Sequence, residues 1–211
     1  GAGYVRDVFD ENNMQRLEGN WGIGHTRYPT AGSKFSVEDA QPFFFNYPYG
    51  IALAHNGDIT NYKELITELE EKERRHCNSS SDLEVILNIF VAKLQSMPPS
   101  SDLFEDLCAA VESVFARVRG AYSVVGLVAD RGMFAFRDPH GIRPLVCGTR
   151  TNADGTRDFI FSSENTMYYP LGFKFQGNIQ AGELVFIDKQ GNMWSRVLRQ
   201  EQFTPCIFEY V

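Results

Sequence analysis

An α+β domain in which helices cover a largely antiparallel sheet is the fold class this chain predicts, on three observations. Apolar residues between Asn61 and Arg119 recur at the three-and-four spacing of core-facing helices. From Gly120 onward the period changes to that of strands. The turns between those strands, such as Asp130-Arg131-Gly132 and Lys189-Gln190-Gly191, are too short for a parallel return, which needs a crossover of about a dozen residues. The 211 residues are 43 % apolar, enough for one domain with a sizeable core.

The chain opens on Gly1-Ala2-Gly3-Tyr4-Val5-Arg6, which reads as the middle of an element with no initiator Met, and so as a fragment. Asp10 is placed to cap a short helix over Glu11 to Leu17, ended by Gly19. Trp21 to His25 reads as a Gly-weakened buried strand, and Pro29, Gly32 and Pro42 break the segment after it into loops. Gly50 to His55 is an apolar strand running into Asn56-Gly57.

One helix is expected from about Asn61 to Arg74 with Thr60 as its cap, and a second from Ser81, with Glu84 completing a capping box. Leu83, Ile86, Leu87, Phe90, Val91 and Leu94 form the core-facing stripe of the second. Met97-Pro98-Pro99-Ser100 ends it, and Asp102 to Arg119 makes a third helix. Six strands follow, over Ala121 to Ala129, Met133 to Arg137, Leu145 to Gly148, Asp158 to Ser162, Glu183 to Asp188 and Met193 to Leu198.

Composition excludes several classes of function. With 20 Lys+Arg against 27 Asp+Glu the net charge is −7, which disfavours a nucleic-acid partner, since clustered cations supply that binding. The apolar runs fall short of the ~20 residues of a membrane span, and no secretory leader is evident. Four cysteines, Cys77, Cys108, Cys147 and Cys206, stand far apart without a C-x-x-C, which fits a reducing cytoplasm and buried packing. His25, His55, His76 and His140 lack metal-site spacing, so no metal is expected.

Four segments could carry chemistry. In His25-Thr26-Arg27-Tyr28-Pro29-Thr30, the Arg27 fork matches a carboxylate, although a surface ion pair explains it as well. In His55-Asn56-Gly57-Asp58, a side-chain amide and a Gly N–H could serve an oxyanion, while Asn-Gly alone favours a hairpin turn. Asp82 in the first turn of a helix suits an ammonium ligand or a plain helix start. The run from Phe136 to Leu145 is a rigid Pro/Gly turn held by internal ion pairs, with no nucleophile.

Taken together and in this order, the segments resemble the glutaminase domain of the amidophosphoribosyltransferases, a branch of the class II glutamine amidotransferases with the N-terminal-nucleophile fold. The resemblance runs through Gly3 to Phe9, His25 to Gly32, Ala40-Gln41-Pro42-Phe43, Tyr49-Gly50, Ala54-His55-Asn56-Gly57, Ser81-Asp82, Leu87 to Phe90, Arg119 to Tyr122, Phe136 to Leu145, Ser163-Glu164 and Phe208 to Val211. It implies a four-layer αββα sandwich of two mostly antiparallel sheets between helices. It implies further that Arg27 binds the α-carboxylate of L-glutamine and Asp82 its α-ammonium, a pair of fixed charges that reads a free amino acid. Asn56 through its side-chain N–H and Gly57 through its backbone N–H would hold the oxyanion, and Tyr28 and Thr30 would line the pocket or its closing loop.

The family's nucleophile is an N-terminal cysteine whose own α-amine is the base, and Gly1 aligns well inside the family domain. Residues 1–211 are therefore expected to be a partial amidotransferase domain that lacks its first strands and does not hydrolyse glutamine. Those strands would sit in the centre of the sandwich, so the piece is expected to be unstable or self-associating. The resemblance also implies a phosphoribosyltransferase domain beyond Val211, with magnesium there and no cofactor in this part. Ammonia would pass to it to form 5-phosphoribosylamine from phosphoribosyl pyrophosphate, the first step of de novo purine synthesis, in a homo-oligomeric full protein. Cys206 stands where some members ligate a 4Fe–4S cluster, but the other ligands would lie beyond Val211, so no cluster is assigned. The alternative is a non-catalytic glutamine-binding or interaction module with a degenerate amidotransferase fold.

Overall fold

The structure, a computed structural model, describes residues 3–27, 37–98 and 100–210. In chain order the helices and strands are α1 (Val5–Val8), α2 (Glu11–Gln15), β1 (Phe43–Phe45), β2 (Ile51–Ile59), α3 (Tyr62–Glu73), α4 (Asp82–Ser96), α5 (Leu103–Arg117), β3 (Gly120–Val128), β4 (Gly132–Arg137), β5 (Val146–Thr151), β6 (Arg157–Ser162), β7 (Lys174–Asn178), β8 (Glu183–Asp188) and β9 (Met193–Val197). Two 3-10 turns, Val37–Asp39 and Ile207–Tyr210, complete the list. A six-stranded sheet runs β1-β2-β3-β4-β8-β9 and a three-stranded sheet runs β6-β5-β7. Every pairing is antiparallel, as the short turns require.

The period-2 alternation of the strands separates two cores. On β4 and β8, Phe134, Phe136, Leu184 and Phe186 join the cluster beneath the helices, while Ala135 and Val185 face the other way and pack with Leu145, Cys147 of β5 and Ile179. The larger sheet thus lies between the helix layer and the smaller sheet. Phe90 of α4 stacks on Phe134, with ring centroids 5.4 Å apart and 5° between planes, which locks helix and sheet together. α4 is buried beyond its predicted stripe, at Val85, Asn88 and Ile89 as well, because α3 and α5 flank it while β1 and β2 lie beneath.

The helix termini follow expectation in part. Asp10 accepts from Asn13 N at 2.8 Å, although its helix ends at Gln15 and not at Leu17. The third helix, expected over Asp102 to Arg119, runs Leu103–Arg117, with Asp102 outside it as the cap that accepts from the backbone N–H groups of Phe104 and Glu105. Thr60 is not the cap of α3. Asn61 occupies that position, and its side chain is instead bonded to Arg117 O and Arg119 N, both at 2.9 Å, tying α3 to the end of α5. The capping box at Ser81 is not formed either, because the Glu84 carboxylate accepts from Asn78 N at 2.8 Å and Ser79 N at 2.7 Å.

Two strands escape the pattern and one expected strand is missing. β1 has three residues and β7 is polar and mostly exposed, so neither shows an alternation to detect. Residues 21–25 are irregular, and among the described residues no strand pairs with them. Apolar composition proposed that strand, but a strand exists only where a ladder partner does. No helix among the described residues is long and apolar enough to cross a membrane.

Candidate functional site

The site is built on the open edge of β2. β2 pairs with β3 along its whole length, Ile51 opposite Val128 through Ile59 opposite Gly120, but with β1 only at Ile51 to Leu53. Beyond Leu53 the edge away from β3 is free of strand among the described residues. Asn56-Gly57 lies inside this strand, opposite Ser123 and Tyr122, so the hairpin turn suggested by the dipeptide is not what forms. A Cβ on Gly57 would sit 2.1 Å from Ala121 O, which leaves room for glycine alone.

Which way the N–H groups point follows from the ladder. Tyr122 O accepts from Asp138 N at 2.9 Å, so the ladder groups of Tyr122 face β4. In an antiparallel pair its partner Gly57 then turns N–H to the open edge, together with His55 and Ile59 two residues to either side. Both neighbours are engaged there: His55 N donates to Gln41 Oε1 at 2.7 Å and Ile59 N to Asp82 Oδ2 at 3.2 Å. The Gly57 N–H points off the same edge between them.

Asp82 begins α4, and its other oxygen lies 3.1 Å from His55 Nε2. Gln41 fixes the tautomer of that imidazole. Its Oε1 is taken by the His55 N–H, so its Nε2, 2.9 Å from His55 Nδ1, must donate, and in the neutral ring the proton is left on Nε2, facing Asp82. Burial works to raise the pKa of Asp82, but hydrogen bonds from His55 and from the N–H groups of Ile59 and Leu83 outweigh it and hold the carboxyl below its ordinary value. The approach to α4 is pinned by Asp39, which accepts from Ser80 N at 2.9 Å.

On Asn56, Oδ1 accepts a short bond from Arg143 Nη2, and Nδ2 donates to Ser163 Oγ at 3.3 Å. Arg143 comes from the Phe136–Leu145 run, which is held from within as expected, but through hydrogen bonds between side chains and backbone, while the ion pair of Arg143 reaches out of the run to Glu209. Asp138 is fully buried and accepts from the N–H groups of His140, Ile142 and Arg143, while Arg137 donates to the carbonyls of Gly141, Ile179 and Arg143.

The structure therefore brings Asn56, Gly57 and Asp82 together at one end of β2. The segment bearing Arg27 reaches the same strand through His25, whose ring is bonded to the His55 backbone. Burial first, then nearby His55 and Arg27, push the pKa of His25 below the usual imidazole range. Arg27 itself is exposed, and Tyr28 and Thr30 lie outside the described residues. A cavity of about 360 Å³ lined by Phe45, Arg74, Arg75, His76 and Asn88 includes none of the six candidates. Sequence reasoning gave no role to Gln41, His55, Asp39 or Arg143, although each lies in or beside a quoted motif. The cysteines are unpaired among the described residues; Cys108 and Cys147 are buried, whereas Cys77 and Cys206 are half-buried. Burial pushes the thiols of Cys77, Cys108 and Cys147 up to about 11.

Residues 32–168, well over half of the chain, match the family described as the glutamine amidotransferase domain. The chain belongs to that family. It is also similar to proteins of greater length. It is 45 % identical over 210 residues to an amidophosphoribosyltransferase of Escherichia coli, covering 99 % of this chain and 41 % of that protein. The amidophosphoribosyltransferase of Saccharomyces cerevisiae is 42 % identical over 215 residues, covering all of this chain and 42 % of the yeast protein. The chain thus spans about two fifths of the length of these curated relatives. Among solved structures it resembles a glutamine phosphoribosylpyrophosphate amidotransferase from B. subtilis complexed with ADP and GMP, at TM-score 0.70 and 25 % identity, over 88 % of this chain and 37 % of that one. The α+β arrangement of two antiparallel sheets and helices is the one this family shares.

Proposed function

We propose that the chain is the glutamine-binding and glutamine-hydrolysing part of an amidophosphoribosyltransferase, releasing ammonia that converts phosphoribosyl pyrophosphate to 5-phosphoribosylamine at the opening of purine synthesis. The observation that carries this reading is the β2 edge, where the Gly57 N–H stands between two engaged neighbours and beside the Asn56 carboxamide. Attack on the side-chain amide of glutamine turns its carbonyl oxygen into an oxyanion, and two adjacent fixed donors suit that charge. Asp82 takes the α-ammonium and Arg27 the α-carboxylate, and Tyr28 and Thr30 are assigned to glutamine binding on the family resemblance alone. Magnesium, the phosphoribosyl substrate and subunit assembly belong on this reading to the transferase part of the protein, and the setting is the cytoplasm.

Burial holds the thiols of Cys77, Cys108 and Cys147 near 11, which leaves little thiolate at neutral pH and disfavours them as nucleophiles. On this reading the 211-residue polypeptide binds glutamine and releases no ammonia from it. Calorimetry on that polypeptide tests the pocket: Asp82→Asn weakens glutamine binding by about 30-fold or more, the usual result of removing one partner of a buried charged pair. Because Asp82 ionises below the ordinary carboxylate range, wild-type affinity stays level as pH falls from neutral and drops only when the lowered pKa is crossed. No measurable glutamine binding by the wild type, or unchanged binding by Asp82→Asn with the fold intact, overturns the assignment.

A further inference from the structure

An amide in an oxyanion site must face the right way, since turned over it presents a carbonyl oxygen and repels the charge it should hold. Ser163 cannot decide the matter, because a hydroxyl donates or accepts with equal ease and its contact with Asn56 Nδ2 is long, at 3.3 Å. Arg143 can. A guanidinium has donors only, so the atom of Asn56 that meets its Nη2 has to be Oδ1.

We infer that Arg143 is the positioning residue that fixes the Asn56 carboxamide with its N–H groups toward the oxyanion; this rests on the oxyanion role proposed for Asn56. Two further features support it. First, Arg143 is itself held at several points. Its backbone N–H donates to Asp138 Oδ2 at 3.4 Å, its carbonyl accepts from Ser123 Oγ at 3.1 Å and from Arg137 Nε at 2.5 Å, and its Nη1 is paired with Glu209. Second, a cation on the amide oxygen draws electron density from the nitrogen, which makes the remaining N–H groups stronger donors. The pairing with Glu209 keeps the guanidinium, 29 % exposed, from swinging into solvent. The two arginines of the Phe136–Leu145 run therefore serve different ends, in that Arg137 builds the turn and Arg143 projects from it.

The test combines kinetics with a spectroscopic readout. In the full-length protein Arg143→Met lowers kcat for ammonia release from glutamine by about 10-fold to 100-fold while KM stays within about twofold, the pattern of an interaction felt mainly in the transition state. Arg143→Lys keeps a cationic donor without the fork and restores part of the loss. In the same full-length protein, ¹⁵N relaxation of the Asn56 side-chain amide reports a rigid group in the wild type and in Arg143→Lys, and a mobile one in Arg143→Met. A kcat for Arg143→Met within twofold of wild type overturns the inference. So does a raised KM with unchanged kcat, which would make Arg143 a substrate contact, or an Asn56 amide equally rigid in all three chains. If Arg143→Met does not fold, an Arg143→Lys chain whose Asn56 amide has become mobile while kcat shows no change overturns it as well. Asn56→Ala separates the two levels: if it too leaves kcat intact the oxyanion reading fails, and if it alone lowers kcat only the role of Arg143 fails.

Discussion

On the oxyanion role proposed for it, Asn56→Ala in the full-length protein lowers kcat for ammonia release from glutamine by about 10²–10³, equivalent to ~2.7–4 kcal/mol of transition-state stabilisation, with KM close to wild type. The split follows from when the contact is made. On that role the carbonyl oxygen of bound glutamine carries little charge, and only as a tetrahedral intermediate forms would the Asn56 N–H meet a full negative charge. Stability changes little, because Asn56 is only half-buried and β2 keeps its ladder with β3. Arg143 keeps its pairing with Glu209 when the Asn56 oxygen is removed. Arg143→Met added to Asn56→Ala therefore costs no further activity, since there is no amide left to orient. Steady-state kinetics of the two single variants and the double variant measure the effect. A KM that rises while kcat holds would move Asn56 from the oxyanion to ground-state binding.

Much of the fold was written in local pattern. The α4 stripe, the third helix and the strands β3 and β4 depend on spacing within one segment, and each forms close to where spacing puts it. What local pattern does not contain is the partner. Trp21 to His25 has strand-like composition and no strand beside it among the described residues, whereas β7 has the composition of a loop and is a strand because β5 lies alongside. Asn56-Gly57 shows the same limit at the site. The dipeptide is a turn in isolation, but β3 offers nine consecutive partners to Ile51–Ile59 and keeps it extended. Asp82 was legible as a helix-start carboxylate. Its neighbours Gln41 and His55 were not, since a relay of 2.9 and 3.1 Å contacts joins residues far apart in sequence.

The second large effect is on stability: Arg137→Met destabilises the fold by about 3–5 kcal/mol, because it strips several buried acceptors of their donor at once. Arg137 is 5 % exposed and donates to Gly141 O at 2.6 Å, Ile179 O at 3.0 Å and Arg143 O at 2.5 Å. Arg143 O retains the Ser123 hydroxyl; the Gly141 and Ile179 carbonyls lose the bond Arg137 gave them. The methionine fills most of the volume, so the penalty is chiefly polar. Asp138 next to it is fully buried, and burial raises its pKa against the opposing pull of four N–H donors that belong to its own turn and to β3. Arg137→Lys recovers little, since an ammonium is a compact point donor and cannot span three carbonyls set around a planar fork. A chain of this size loses on the order of 10 °C in Tm for such a change, readable by calorimetry. Because Arg143 hangs from the same turn, the Asn56 amide should loosen in Arg137→Met even below the melting transition, at temperatures where the β2–β3 ladder is intact. A turn that matters only for packing would leave that amide as rigid as before.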